Sequence, residues 1–288
     1  MLKFLQGALV ANAASMGFNW IYNMPYLERL SQTESLVFQK PNPDQYKRAG
    51  KSYYVYPRAE IGDVSIQGEV LKWLYKGILS DNNLSREDYR KLIYDHIKPG
   101  GSYDGYIESY GKKLVLNSIV DELKLDIEKQ TYHDDQLVSF MPYLVCKELD
   151  LPLDKAWDLA QAFTDIDHYK TFFNVLDQLI TNLSHMSMLE SVHNILPLVP
   201  QKYQESIELA IKMNDTTKFI IDHAGTDCHI HHALPLIFHI LTHTNNYEDA
   251  VKLNVKLGGA SCDRGLLIGA IYAQISEIPE DWKQKVNL

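Results

Sequence analysis

The sequence predicts a single all-α domain, an orthogonal bundle of helices. Apolar residues recur at three- and four-residue spacing along most of the 288-residue chain, which is the helical period. Period-two runs typical of strands are missing, since the stretch 53–56 is too short to indicate a sheet. No internal repeat or low-complexity segment interrupts the pattern. We therefore expect one domain over residues 1–288.

The helical pattern divides into eleven segments. The first and last are apolar on nearly every side, so we expect both to cross the centre of the bundle. Ser85 precedes acidic first-turn residues and predicts a helix start there. Several Pro, Asn and Gly residues in 31–62 predict a long loop over the functional site. The predicted helices cover residues 3–15, 66–79, 85–96, 104–127, 135–148, 152–163, 168–183, 200–222, 231–243, 246–257 and 263–276.

Composition and charge exclude several classes of protein. The chain has 28 basic and 37 acidic residues, a net charge of −9, and no basic cluster, so we expect no nucleic-acid partner. Three cysteines are too few for a disulfide framework and favour a reducing, cytoplasmic location. Residues 2–14 have the composition of a secretory signal, but Gln6 and Asn12 interrupt the apolar run. We interpret this run as a buried helix, and no segment is long enough to predict a membrane span.

The most informative polar turn precedes the last predicted helix. Gly258 and Gly259 allow a tight turn and a close approach to a ligand. Ser261, Cys262 and Asp263 then open the helix, where unpaired backbone N–H groups attract acceptor atoms. The alternative is a plain interhelical turn that leads into a core helix.

A second turn has the same layout. Asp63, Ser65, Gln67 and Glu69 lie before and within the first turn of the helix predicted to begin at residue 66. Ser65 followed by a carboxylate also suits a helix-capping arrangement, which would make the turn purely structural. The sequence leaves both interpretations open.

Further polar candidates lie in the middle of the chain. His133, Asp134 and Asp135 precede an apolar run, and His168 follows another acidic stretch. An adjacent Asp pair can interact with a helix dipole, bind a metal or simply face solvent. The run 228–232 combines one Cys with three His residues, so it is a minor candidate for a transition-metal site, although its side chains would diverge on a helix.

Taken in order, these segments resemble the ADP-ribosylglycohydrolase superfamily, and its J-type crystallin-like branch most of all. The resemblance begins with residues 6–23, which end in Asn-Trp-Ile-Tyr-Asn, and continues with 62–69, 228–235 and 258–263. It spans almost the whole chain. It implies an orthogonal helical bundle in which the turns 62–69 and 258–263 converge, with His229 facing the ligand cleft.

The resemblance also implies a metal mechanism that this sequence does not match. Active members hydrolyse ADP-ribosyl linkages with two Mg²⁺ ions, which acidic residues of the two turns hold. Asp63 matches the first carboxylate, but Val64 replaces the second. Ala260 and Cys262 occupy the two aspartate positions of the late motif, and Asp263 occupies a threonine position. Mg²⁺ is thus expected from the family, while Asp63 is its only matched ligand.

Two functions follow from these residues. The first is a hydrolase of ADP-ribosyl or related N- or O-ribosyl linkages with a degenerate Mg²⁺ site. The second is an inactive relative that binds an ADP-ribose-type ligand or serves as a crystallin-like structural protein. Asp63, Glu69, Asp134 and Asp135 are the candidate catalytic residues, as charge stabilisers or general bases. The candidate ligand-binding residues are Ser65, Gln67, His133, His168, His229, Gly258, Gly259, Ser261, Cys262 and Asp263.

Two of these candidates have more specific alternatives. His133 or His168 could shuttle a proton, although each also suits a capping or exposed position. Cys262 at a helix start is either a reactive thiol or a buried, inert one. The sequence does not fix the oligomeric state or the substrate.

Overall fold

A computed structural model describes residues 3–286 and confirms the all-α class. Within that range, β pairing is limited to isolated bridges. Sixteen α-helices lie in the described range. They are α1 (Lys3–Ser15), α2 (Met24–Ser31), α3 (Pro43–Ala49), α4 (Ile66–Ser80), α5 (Arg86–Ile97), α6 (Ser109–Glu122), α7 (Met141–Glu148), α8 (Leu153–Ala160), α9 (His168–Asn182), α10 (Met188–Ile195), α11 (Gln201–Lys212), α12 (Thr216–His223), α13 (Ile230–His243), α14 (Tyr247–Leu257), α15 (Ser261–Tyr272) and α16 (Glu280–Lys283).

The first and last long helices cross the centre, as their composition predicts. Every residue of α15 is buried, and so are eleven residues of α1. Small residues let the two helices approach closely. A Cβ atom placed on Gly7 would lie 2.3 Å from the carbonyl oxygen of Gly269, which only glycine avoids. This contact brings the loops at the ends of both helices together.

The prediction of one long loop over 31–62 is wrong in part, because α3 forms inside it. Asn42 caps this helix by accepting a hydrogen bond from the Asp44 N–H at 2.9 Å, and Pro43 occupies its first turn. Three other short helices, α2, α10 and α16, were not predicted. Each is too short to show a clear apolar period, although Asn23 and Ser187 are ordinary N-caps for α2 and α10.

Three predicted helices have clearly different bounds. The helix predicted over 135–148 begins as an α-helix only at Met141, after a 3₁₀ turn at Leu137–Phe140. The helix predicted over 104–127 begins only at Ser109 and ends at Glu122, so 104–108 form a loop. The helix predicted over 200–222 is broken into α11 and α12. Asp215 caps α12 by accepting a hydrogen bond from the Lys218 N–H at 2.9 Å. Asp competes with the helical backbone and therefore favours a break of this kind.

Apolar side chains from both ends of the chain meet in one large buried cluster. It includes residues from Phe4 to Trp282. None of the helices in the described range has both the length and the apolar character needed to cross a bilayer. The single-domain interpretation stays a prediction.

A buried histidine makes the stability of this core depend on pH. His239 is fully buried, its Nδ1–H donates to the Ala210 carbonyl, and its Nε2 accepts from the Thr216 hydroxyl, both at 2.9 Å. Burial lowers the pKa of His239 from 6.5 to about 4. The unfolded chain therefore binds a proton between these values that the folded chain does not.

We expect the free energy of unfolding to fall by up to about 3 kcal/mol as the pH drops from about 6.5 to about 4, and this contribution to level off below. Urea titrations of wild type and His239→Gln across this range test it. A Gln variant that loses stability as steeply as wild type would exclude His239 as the cause.

Candidate functional site

The two motif turns converge on one side chain of α1. The Asn12 amide donates hydrogen bonds to the Ser65 hydroxyl at 2.8 Å and to the Cys262 carbonyl at 3.0 Å. Its carbonyl oxygen accepts from the Ser65 N–H at 2.8 Å. Ser65 occupies the N-cap position of α4, but its side chain makes no capping hydrogen bond. The hydroxyl therefore serves the contact between the turns, and the capping interpretation is wrong.

The Gly-Gly turn depends on backbone conformations that favour glycine. Gly258 and Gly259 have φ of 73° and 67°. The Gly259 N–H donates to the Ile21 carbonyl, and the Gly259 carbonyl accepts from the Trp20 N–H, both at 2.7 Å. A Cβ atom on Gly259 would lie 1.9 Å from the Thr226 carbonyl oxygen. The turn is thus pressed against the loops after α1 and α12.

A buried cation holds the same turn. Arg264 is fully buried, and its guanidinium donates to the Thr226 carbonyl at 2.8 Å, to the Asn254 side chain at 3.1 Å and to the Gly258 carbonyl. Burial lowers the pKa of Arg264 to about 10, so it stays charged at neutral pH. Arg264 thereby fixes the turn against α14 and the 224–229 loop.

Buried polar atoms without a protein partner gather beside this turn. We call Asn19, Gln67, Glu108, Ser261 and Asp263 the inner polar cluster. Gln67 Nε2 donates to Glu108 Oε2 at 3.1 Å. The Asn19 side-chain oxygen accepts from the Cys262 N–H at 3.0 Å. The unpartnered atoms of the cluster are Asn19 Nδ2, Gln67 Oε1, Glu108 Oε1, Ser261 Oγ and both carboxylate oxygens of Asp263.

Burial controls the protonation of the two acids in this cluster. It raises the pKa of Asp263 to about 7. Burial, followed by the negative charge of Asp263, raises the pKa of Glu108 well above its usual range. An acid with a raised pKa is partly or wholly neutral at pH 7 and can donate a hydrogen bond. The cluster can therefore offer a ligand both donors and acceptors.

Two His–carboxylate pairs lie at the start of α13. His229 Nδ1 lies 2.7 Å from Asp135 Oδ1, and His232 Nδ1 lies 2.7 Å from Asp227 Oδ2. Burial alone would lower the pKa of His229, but the hydrogen bond and charge of Asp135 outweigh it and raise the pKa. Burial raises the pKa of the neighbouring Asp134 to about 6. His229 and Asp134 can therefore exchange protons near neutral pH.

A cavity of about 470 Å³ lies outside the inner polar cluster, and we call it the outer cavity. Asp63 and Glu69 line it together with the 103–106 loop. Glu69 pairs with Lys72 at 3.0 Å. Tyr56 also lines the cavity, and burial, followed by the charge of Glu108, raises its pKa. Tyr56 therefore lies between the outer cavity and the buried acids.

Three predicted site residues lie elsewhere or have no reactive character. His133 is exposed and pairs with Asp165, and His168 packs edge-on against Tyr203 with ring centroids 5.7 Å apart. The Cys262 thiol is fully buried and donates to the backbone carbonyl of Asn12 at 3.4 Å. Burial raises the pKa of this thiol well above its usual value. Of the two interpretations of Cys262, the reactive thiol does not fit this environment, and the buried, inert thiol does.

Known proteins resemble this chain in sequence and in fold. The sequence model of the ADP-ribosylglycohydrolase family matches residues 136–288, more than half of the chain. The chain belongs to the ADP-ribosylglycohydrolase family. A solved structure described as an ADP-ribosylglycohydrolase-related protein complex has a TM-score of 0.63 at 13% identity, and the alignment covers 99% of this chain and 91% of that one. That likeness concerns the fold alone, and no curated protein matches in sequence.

The two-Mg²⁺ arrangement expected of an ADP-ribosylglycohydrolase does not fit these residues. Val64 and Ala260 are buried apolar side chains that offer no ligand atom, and the Cys262 thiol is protonated. Between residues 3 and 286, no group of three or more His, Cys, Asp or Glu side chains has the arrangement of a metal site. The same finding weighs against a transition metal at 228–232, where His229 and His232 already bind carboxylates.

Three members of this site escaped sequence reasoning. Asn12 interrupts an otherwise apolar helix, and that interruption is the one signal that could have identified it. Glu108 ends a loop that the sequence pattern assigns to a helix, so nothing marked it as buried. Asp227 lies directly before the Cys-His run, where its Oδ1 accepts from the His229 N–H at 3.0 Å and its Oδ2 pairs with His232 Nδ1, and neither contact has a signal in the sequence.

Proposed function

We propose that this ADP-ribosylglycohydrolase homologue binds an ADP-ribose-type small molecule between its two motif turns without the family's pair of Mg²⁺ ions. The unpartnered buried atoms of the inner polar cluster carry this proposal. A buried polar group without a partner costs about 1–3 kcal/mol. A ribosyl ligand, rich in hydroxyl groups, would supply partners to Glu108 and Asp263.

The electrostatics of the turns support metal-independent binding. The family's Mg²⁺ sites draw their ligands from carboxylates of both turns, and here one carboxylate, Asp63, matches that pattern. Asp63 accepts a hydrogen bond from the Glu60 N–H at 2.8 Å, so part of its binding capacity serves its own loop. Binding through hydrogen bonds to neutral or singly charged acids needs no bound metal.

Hydrolysis of a ribosyl linkage is the second candidate function, and the His229–Asp135 pair favours it. A carboxylate on Nδ1 orients the imidazole and leaves Nε2 available as a general base. Asp134, with its pKa near 6, could share that role. Binding comes first because the unpartnered atoms of the inner polar cluster support it directly. Hydrolysis also requires a water molecule placed between His229 Nε2 and the ribosyl carbon, and it is therefore the alternative.

Binding is tested by calorimetric titration of ADP-ribose into the protein in EDTA and again in excess Mg²⁺. We expect saturable binding of the same affinity in both, because the turns lack Mg²⁺ ligands. Asp263→Asn removes a carboxylate without changing its shape and should weaken binding roughly tenfold to a hundredfold, the worth of a hydrogen bond to a charged group. Asp63→Asn and Glu69→Gln should weaken it less.

Glu277→Gln is the matched control, since the Glu277 side chain is 91% exposed and lies beyond the C-terminal end of α15. Binding that requires Mg²⁺ would overturn the metal-independent proposal. Absence of ADP-ribose binding under both conditions would overturn the ligand class. Asp63→Asn and Glu69→Gln variants that bind like wild type would remove the outer cavity from the site.

Two finer assignments belong to the same proposal. We place the chain in the J-type crystallin-like branch, which the Asn-Trp-Ile-Tyr-Asn stretch at 19–23 and the Cys-His run at 228–229 support. We also propose a cytoplasmic location, supported by the three unpaired cysteines.

A further inference from the structure

The solvent-facing side of α6 carries apolar side chains where polar ones are expected. Leu116 is 55% exposed, and Leu123, directly after the last turn, is 64% exposed. Ile119 lies on the same face between them and is half-buried. Their spacing of three and four residues forms one stripe along the helix. An exposed apolar stripe on a surface helix is the pattern of a contact face.

The chain after α6 is held against this helix. The Asn117 side chain exchanges two hydrogen bonds with the backbone of Gln130, each of 2.8 Å. Lys129 also pairs with Asp121. Residues 123–130 therefore turn back at the end of α6 and return beside it as far as the level of Asn117.

This returning segment adds two more exposed apolar residues. Leu125 is 40% exposed and Ile127 is 62% exposed. Since the segment runs beside α6, the two residues widen the stripe into a larger apolar surface. Single exposed apolar residues are normal, whereas a concentration of them marks an interaction site. We call Leu116, Ile119, Leu123, Leu125 and Ile127 the α6 patch.

The charge around the α6 patch favours a second copy of the chain as its partner. The whole chain has a net charge of −9, which opposes contact between two copies over most of their surface. Residues 109–130 contain four lysines and four acidic residues, a net charge of zero. Two copies can therefore meet at this surface without net repulsion.

The order of charges along α6 is the reverse of the one that its own dipole favours. A helix dipole favours acidic residues at the start of a helix and cations at its end. In α6, Lys112 and Lys113 lie near the start, and Asp121 and Glu122 lie in the last turn. Beside an antiparallel second α6, the lysines of each helix face the acids of the other. The order that is unfavourable within one helix is then favourable between two.

The charged residues at the two ends already have contacts within the chain. Lys112 Nζ lies 3.3 Å from the Tyr106 hydroxyl, and Glu122 Oε2 accepts from the Tyr94 hydroxyl at 3.0 Å. Both charged residues are exposed. Water competes with such contacts, so they contribute little and leave the two charges able to pair with a partner.

We propose that α6 packs antiparallel against the α6 of a second copy, in a two-fold symmetric dimer centred on the α6 patch. In a two-fold dimer each surface meets its own copy, as the neutral and self-complementary charge pattern allows. The apolar residues then form the buried centre of the interface and the charged residues its rim. Lys112 of each chain lies opposite Glu122 of the second copy. Formation of this dimer is independent of ligand binding at the motif turns.

Sedimentation velocity of the full chain over about 1–100 μM tests the dimer, because this range detects weak self-association. We expect a monomer–dimer equilibrium. Leu116→Glu and Leu123→Glu each place a charge in the centre of the interface and should raise the dimer Kd at least about tenfold. Leu79→Glu is the matched control, since Leu79 is 60% exposed but lies at the end of α4. Melting temperatures confirm that each variant folds.

Exchange of charges tests the antiparallel order. Lys112→Glu and Glu122→Lys each place like charges opposite one another in the homodimer, so each should raise its Kd severalfold. An equal mixture of the two variants restores an opposite-charge pair at both ends. This mixture should associate about as tightly as wild type.

A chain that stays monomeric over the whole range would overturn the proposal. A dimer that survives both leucine variants would place the interface elsewhere and reject the α6 patch. Charge variants that associate like wild type, with a mixture that associates more tightly, would indicate parallel helices and contradict the antiparallel order. A monomer that binds vesicles of phosphatidylcholine and phosphatidylserine, and loses this binding in Leu123→Glu, would assign the α6 patch to a membrane surface instead.

Discussion

Arg264→Met should destabilise the protein by about 3–5 kcal/mol, the range found when one partner of a buried charged network is removed. The guanidinium donates to the Thr226 and Gly258 carbonyls and to Asn254. Methionine fills much of the same volume but donates nothing, so three buried acceptors lose their partner. Equilibrium urea unfolding measures the loss.

The control for this variant is Arg48→Met, which removes an exposed arginine from the last turn of α3. Surface substitutions of this kind usually change stability by less than about 0.5 kcal/mol. An Arg264→Met protein that unfolds at the wild-type urea concentration would show that these hydrogen bonds contribute little. It would also show that Arg264 does not hold the Gly-Gly turn in place.

Gly259→Ala should cost about 3 kcal/mol or more, because two penalties coincide at this position. A φ of 67° disfavours any side chain, and the new Cβ atom would lie 1.9 Å from the Thr226 carbonyl oxygen. Relief requires the turn and the 224–229 loop to separate. We therefore expect both a lower melting temperature and weaker ADP-ribose binding.

Gly50→Ala separates the two penalties. Gly50 has a φ of 75°, yet nothing lies within 4 Å of the position its Cβ atom would take. Gly50 has ψ −63°, a backbone region that side chains rarely adopt, so this variant should lose only the conformational term, about 1–3 kcal/mol. Equal losses in both variants would mean that the clash at Gly259 relaxes without cost.

The central helices could be predicted because their composition leaves one choice. Helices α1 and α15 are apolar on nearly every side, a pattern typical of helices that are buried on every side. The short helices could not be found in this way. Helix α3 has seven residues, and its stability depends on the Asn42 cap and on packing of Tyr46, whose hydroxyl donates to the Asn19 carbonyl at 2.7 Å.

The site was predicted as far as its polar turns and no further. The turns at 62–69 and 258–263 were expected to converge, and they meet at Asn12. Asp263 was among the predicted residues, but the second buried acid of the inner polar cluster, Glu108, was harder to predict. Glu108 comes from a loop whose position depends on tertiary packing, and its burial is invisible in local sequence. His133 and His168 looked equivalent to His229, but His133 pairs with Asp165 at the exposed surface and His168 packs against Tyr203. His229 instead pairs with Asp135 at the start of α13.

The hydrogen bond from Asn12 to Cys262 joins residues 250 positions apart. Closing so long a loop is entropically costly, and contacts of such separation generally form late in folding. The last central helix must therefore dock before the two turns can meet, so a nascent chain lacking its C-terminal helices has no assembled site. Any ligand of this site would then bind only the completed chain. By mass action, such a ligand would stabilise the state in which the last central helix has docked. Its binding would therefore measure the fraction of chains that have completed folding.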